Sequence, residues 1–240
     1  MTIERNVFST KDKLAQALAD AVAENLNAGL DERGEASLAV SGGSTPKRFF
    51  EVLGARDDID WENVTVTLVD ERWVDESSDR SNARLVKENL LTGAAAAARF
   101  VPLYAGTDEP DAAGIAQANS AVAQVPVPFD AVILGMGNDG HTASFFPGGD
   151  ALEEALNAEG PVVAIRAPGA GEPRVTFTLA RLLQTRALYL HIEGEEKAQV
   201  LDKALETGPV ETMPVRAVLS QSHIPVSLYW CPERQNAFRF

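Results

Sequence analysis

A single cysteine, Cys231, leaves this chain unable to form an internal disulfide or a multi-cysteine metal site, which fits a reducing compartment and a thiol that is simply packed. Histidine is nearly as scarce. The three residues at 141, 191 and 223 are the few side chains able both to take and to give a proton near neutral pH. Positive charge is also short: 21 Lys and Arg against 35 Asp and Glu leave a formal charge of −14, which opposes nonspecific binding to nucleic acid or to an anionic membrane. Any anion site must therefore be local. No apolar run is long enough for a bilayer span, and the first thirty residues are amphipathic and charged, so a cytoplasmic protein is expected. What is present is enough chain, 240 residues, to bury a large core, and one domain over residues 1–240 is the expectation. Nothing in the sequence specifies an oligomeric state.

The apolar pattern alternates between two periods. Leu14, Leu18, Val22 and Leu26 recur every fourth position, after Ser9 and Thr10 as candidate caps and before Gly29 as a stop, which predicts a helix over 11–28. A strand is expected at 37–40, a helix at 46–53, a strand at 64–69, helices near 82–91 and 112–123, and a strand at 130–134. Apolar segments at 162–165, 187–191 and 226–229 continue the series, with a helix at 195–205. Strands alternating with helices predict an α/β fold: a mostly parallel, Rossmann-like sheet covered by helices on both faces, with ligands bound beyond the carboxyl ends of the strands.

Two loops stand at such strand ends. Gly135 to Gly149, GMGNDGHTASFFPGG, brings a carboxylate, Asp139, within two residues of an imidazole, His141, on a glycine-rich turn. GMGNDG also fits G-x-G-x-x-G, but HTASFFPGGD is too short and too rich in helix breakers to be the helix that a dinucleotide site requires. Ser41 to Pro46, SGGSTP, reads as a phosphate cradle: Gly42 and Gly43 permit close approach, Ser44 and Thr45 add hydroxyl donors, and the start of a helix offers unpaired amides. Its spacing is not that of a nucleoside triphosphate loop. VDERWV puts Asp70, Glu71 and Arg72 at a strand end; Arg72 is a candidate anion contact, whereas Glu71 reads more readily as the partner of a structural ion pair with the arginine. Arg84 follows the capping residues of SNARLVKENLL, Arg174 precedes an apolar segment, and Lys197 sits in the first turn of a helix, against its dipole, a placement that a nearby anion would explain. His191 lies within an apolar strand and His223 in a late connection, and both read as structural.

Taken in order, SGGSTP, VDERWV, SNARLVKENLL, ILGMGNDGHTASFFPG, PRVTFTLARLL and EGEEKAQVL resemble the 6-phosphogluconolactonases over roughly residues 5 to 230, GNDGHTASFFPG being the most specific element. The resemblance implies a fold shared with glucosamine-6-phosphate deaminases and ribose-5-phosphate isomerases. It also implies hydrolysis of 6-phospho-D-glucono-1,5-lactone in the oxidative pentose phosphate pathway, with a sugar-phosphate substrate and neither metal nor organic cofactor. It makes His141 the general base on water, Asp139 its orienting carboxylate, and Arg72 a group at the lactone end. Gly42 to Thr45, with Arg84, Arg174 and Lys197, become the phosphate holder. The rival within the same fold is deamination or isomerisation of a sugar phosphate. The deaminases carry a glutamate five residues beyond the histidine, and Phe146, which stands there in this chain, cannot relay a proton. A noncatalytic sugar-phosphate sensor would be expected to append a DNA-binding module, and no basic recognition helix is visible.

Overall fold

The structure, a computed structural model, describes residues 3 to 232. Its elements are, in chain order, β1 (Ile3–Val7), α1 (Lys11–Arg33), β2 (Ala36–Val40), α2 (Lys47–Gly54), β3 (Val64–Leu68), β4 (Asp70–Arg72), α3 (Asn82–Asn89), β5 (Arg99–Val101) and α4 (Ala112–Val122). The chain continues with β6 (Ala131–Leu134), α5 (Leu152–Asn157), β7 (Val162–Ile165), β8 (Arg174–Phe177), α6 (Leu179–Leu182), β9 (Leu188–Glu193), α7 (Glu195–Leu205), α8 (Val215–Ser220) and β10 (Val226–Cys231). A seven-stranded sheet runs β1-β10-β9-β6-β2-β3-β5, parallel at each pairing. Every residue of β2, β3, β6 and β9 is buried, as strands covered on both faces must be.

The strand order reverses between β2 and β6: from β2 the chain winds outward through β3 to β5, then returns to β6 on the opposite side and winds out through β9 and β10. Such a switch point opens a crevice, because the two connections leaving it diverge to opposite faces. SGGSTP leaves β2 and GMGNDGH leaves β6, so both candidate loops border that crevice.

Two expectations need correction. Residues 162–165 do form a strand, but β7 pairs antiparallel with β8, and β8 with β4, in a separate three-stranded sheet. Helix α1 does not stop at Gly29. Gly29 is buried inside the helix, where a Cβ would overlap the Asp130 carboxylate, and the stop is Gly34, at φ +75° with its amide on the Leu30 carbonyl. Thr10 caps the start, as expected, accepting from the Lys13 amide at 3.2 Å. The extended β1 was not predicted at all. Among the described residues no helix is long and apolar enough to cross a membrane.

Candidate functional site

Ser41, the first residue after β2, ties the two loops together. Its amide and its hydroxyl both donate to the Ile133 carbonyl on β6, at 3.1 and 2.9 Å, and its oxygen accepts from the Gly135 amide at 3.1 Å. From this knot the chain turns through Gly42 and Gly43 into α2. Gly42 has no alternative, since a Cβ would overlap the Asn82 side chain, and Gly43 takes φ +85°. The amides of Gly42 to Thr45 make no hydrogen bond among the described residues. Pro46 stands at the N-cap with no side-chain cap over the first turn, so α2 presents bare donors and the positive end of its dipole.

Opposite them, the Gly137 amide donates to the His141 carbonyl at 2.9 Å and closes the turn that carries Asp139 and His141. Asp139 Oδ1 accepts from the His141 amide at 3.0 Å and lies 2.6 Å from Nδ1 of the same residue. The pair fixes the imidazole as the Nδ1–H tautomer, leaving the Nε2 lone pair available. Partial burial would raise the Asp139 pKa, but the bonds to His141 hold it below the ordinary carboxylate value, so it remains an anion at neutral pH. The ring of His141 stacks on Phe146, with centroids 4.2 Å apart. Ala143, two residues on, is the one non-glycine residue with positive φ, +48°, among the described residues, and it too borders the cleft.

The remaining wall is the small sheet. Arg72 and Arg174 are partners in the β4–β8 register. Arg72 donates to the Arg80 carbonyl at 2.8 Å and to Asn82 Oδ1 at 3.3 Å; Arg174, buried, donates to the Ala170 carbonyl at 2.8 Å and stands 3.7 Å from Asp70. Burial lowers the Arg174 pKa against the pull of Asp70. Neither Nε, each of them buried, has a hydrogen-bond partner among the described residues. Ser144 donates to Asp70 at 2.6 Å, which joins the His141 loop to this wall. Lys197, in the first turn of α7, donates to the Met136 carbonyl at 2.7 Å.

These parts border one cleft of about 250 Å³: Ser41 to Pro46, Arg72, His141, Arg174 and Lys197 all line it. Three cations with one buried carboxylate, Asp70, make it electropositive on a chain of net charge −14. Asp139 reaches it through His141. Arg84 does not. It lies on the surface, bonded to Asp79 and Glu88 at 2.9 Å each, because the i,i+4 glutamate on α3 and the preceding loop hold it outward. Arg84→Ala is therefore expected to leave KM and kcat unchanged in a steady-state assay.

Glu71 is structural, but through backbone amides and not through the ion pair expected of it. Its buried carboxylate, pushed up to about 7 by burial, accepts from the amides of Asn82, Ala83 and Arg72 at 2.8 Å each and anchors the start of α3. Two cleft residues were missed. Asn82, which bridges the Asp70 carbonyl and Arg72, was read only as part of a helix cap. His191, expected to be structural, is buried with Nε2 3.2 Å from Glu193, and it also lines the cleft. His223 is exposed in the connection before β10. Among the described residues no cluster of three or more His, Cys, Asp or Glu side chains could hold a metal ion.

Comparison with known proteins gives this geometry its context. The family model described as glucosamine-6-phosphate isomerases/6-phosphogluconolactonase matches residues 9–230. A 6-phosphogluconolactonase of Rhizobium meliloti (strain 1021) is 52% identical over 234 residues, 97% of this chain and 100% of that one. The crystal structure of a 6-phosphogluconolactonase from Shewanella baltica OS155 superposes with a TM-score of 0.93 at 43% identity, covering 95% of this chain and 97% of that one. A monomeric glucosamine-6-phosphate deaminase, 18% identical, shares the fold with a TM-score of 0.75 over 95% of this chain and 97% of that one.

Proposed function

The chain belongs to the glucosamine-6-phosphate isomerase/6-phosphogluconolactonase family, and from that premise we propose that it hydrolyses 6-phospho-D-glucono-1,5-lactone to 6-phospho-D-gluconate, the lactonase step of the oxidative pentose phosphate pathway, with His141 as general base. The observation that carries this reading is the shared cleft: an electropositive cradle and an oriented imidazole border the same space. A phosphorylated lactone needs both, one for its dianion and one for its carbonyl.

The substrate's phosphoryl group rests on the Gly42 to Thr45 amides and the Ser44 and Thr45 hydroxyls, with Lys197 adding charge. Arg174, opposite Arg72 in the β4–β8 register, contributes positive charge between the two ends. Held this way, the lactone carbonyl meets a water on His141 Nε2. Nε2 takes a proton from that water as its oxygen adds to C1. Asp139 stabilises the imidazolium that results, and Arg72 supplies positive charge at the lactone end as the carbonyl becomes tetrahedral. Collapse of the adduct breaks the bond from C1 to the ring oxygen, which leaves as the C5 hydroxyl with the proton returned by His141. The acid product then ionises to the carboxylate. A carboxylate poised to assist amine chemistry is missing from the Phe146 position, which favours lactone hydrolysis over deamination.

The deciding experiment is a stopped assay on freshly prepared phosphorylated lactone, corrected for the spontaneous opening of the substrate in water, run beside ammonia release from glucosamine 6-phosphate. Acid production above background with no ammonia is expected; the converse overturns the reading. Within it, Lys197→Ala removes a charge-assisted contact to a group that does not react, so KM is expected to rise about ten- to a hundredfold while kcat stays nearly constant. An equal fall in kcat would move Lys197 from the phosphate to the reacting end.

A further inference from the structure

We propose that Phe146 is a positioning residue for the reaction, acting as an aromatic platform that fixes the plane of the His141 imidazole; this rests on the lactonase reading above. The bond between Asp139 Oδ1 and His141 Nδ1, at 2.6 Å, sets the tautomer and the direction of the ring edge. It does little to hold the tilt of the ring, because an imidazole can rock about the axis of a single hydrogen bond. That remaining freedom is what the Phe146 contact removes. The two rings lie 25° from parallel with centroids 4.2 Å apart, a stacked pair in close contact.

A platform works only if it is itself immobile. Phe146 is 2% exposed, and the Arg174 guanidinium lies 5.1 Å from its ring centroid, a cation over an aromatic face. The backbone supports the same arrangement, since the Phe146 amide donates to the Ser144 carbonyl at 3.0 Å, and the Ser144 hydroxyl is fixed to Asp70. Phe146 thus joins the two walls of the cleft: His141 of the β6 loop on one contact, Arg174 of β8 on the other. The face has a second use during turnover. When His141 takes the proton from water it becomes a cation, and an aromatic face is more favourable to a cation than to the neutral ring. Phe146 neither donates nor accepts a proton, so its whole contribution passes through His141.

The experiment compares Phe146→Leu and Phe146→Met, which keep an apolar side chain but lose the π face, with Phe146→Tyr, which restores it. In the steady state Leu and Met are expected to lower kcat about ten- to a hundredfold with little change in KM, as a misplaced reacting group does, and Tyr is expected to recover most of the loss. The second readout does not depend on activity. With three histidines in the chain, the ring C–H resonances can be separated by NMR. Nuclear Overhauser contacts between the His141 Cε1 proton and the Gly137 α protons, which lie close because a Cβ on Gly137 would overlap Cε1, should be strong in the parent protein, weaken in the Leu and Met variants and return in Tyr, while His191 and His223 stay in place as internal standards. Retention of kcat in both Leu and Met, or a loss of kcat with the His141–Gly137 contacts unchanged, overturns the proposal. So does failure of Tyr to rescue. If the unmodified protein does not hydrolyse the lactone, the lactonase reading fails on its own, and the NMR comparison still reports whether Phe146 holds the ring.

Discussion

His141→Ala is expected to lower kcat on the phosphorylated lactone by about 10²- to 10⁴-fold, the range that a positioned general acid–base supplies, while KM changes by only a few-fold. The split follows from the division of the cleft. In the proposed reading the cradle at the start of α2, with Lys197, holds a phosphate that does not react, and none of those lining residues depends on residue 141. Removing the imidazole leaves them intact and deletes only the group proposed to receive the water proton and return it to the ring oxygen. The side chain stands at the cleft wall with 29% of its surface exposed, so its loss opens no cavity in the core. Steady-state measurements on freshly prepared lactone, with spontaneous opening subtracted, give kcat and KM, and single-turnover measurements test whether the loss lies in the chemical step. A variant that keeps full activity would end the general-base mechanism, and one that loses affinity in place of turnover would make His141 a binding group. Asp139→Asn should fall between the parent and His141→Ala, because an amide can still hold the ring by a hydrogen bond but provides no charge for the imidazolium.

Residues whose roles depend on neighbours in the chain were legible, and those that depend on distant partners were not. The parallel sheet could be read because β2, β3, β6, β9 and β10 are apolar runs separated by helical periodicity. Strand β1 escaped because IERNV places three polar residues in its middle, a pattern an edge strand tolerates and a buried one does not. The small antiparallel sheet escaped for a related reason: DER, the whole of β4, resembles the charged end of a strand, and only pairing with β8 makes it one. Gly29 looked like a helix stop because its real cause, the Asp130 carboxylate about a hundred residues away, leaves no local trace.

The same rule sorts the site. The cradle and the Asp139–His141 pair are each built within a few residues, by glycines and by side chains on a single turn, and the sequence exhibits them openly. Asn82 and His191 line the cleft through contacts to Asp70, Arg72 and Glu193 that no local spacing reveals. Arg84 was overvalued although a local signal argued the other way: Glu88 follows it by four residues on α3, the spacing at which a glutamate draws an arginine along the helix surface.

Gly137→Ala is expected to reproduce most of the His141→Ala defect without touching a reacting atom. A methyl group at residue 137 would overlap Cε1 and Nδ1 of the His141 ring and come within 2.8 Å of Asp139 Oδ1. The backbone has little room to yield, since the Gly137 amide is bonded to the His141 carbonyl at 2.9 Å and its carbonyl accepts from the Gly140 amide at 3.0 Å. The imidazole must therefore move, and the side toward Phe146 is already filled at 4.2 Å. Displacement on the order of 1 Å in a reacting group costs about a hundredfold in rate, so a fall in kcat of that size is expected, with KM and melting temperature nearly unchanged. The double variant Gly137→Ala with His141→Ala separates this cause from a general disturbance of the loop. If residue 137 acts through the imidazole alone, adding Gly137→Ala to a protein that already lacks the ring produces no further loss of kcat. An additive loss would mean that the glycine serves some other part of the cleft, such as the Met136 carbonyl that receives Lys197.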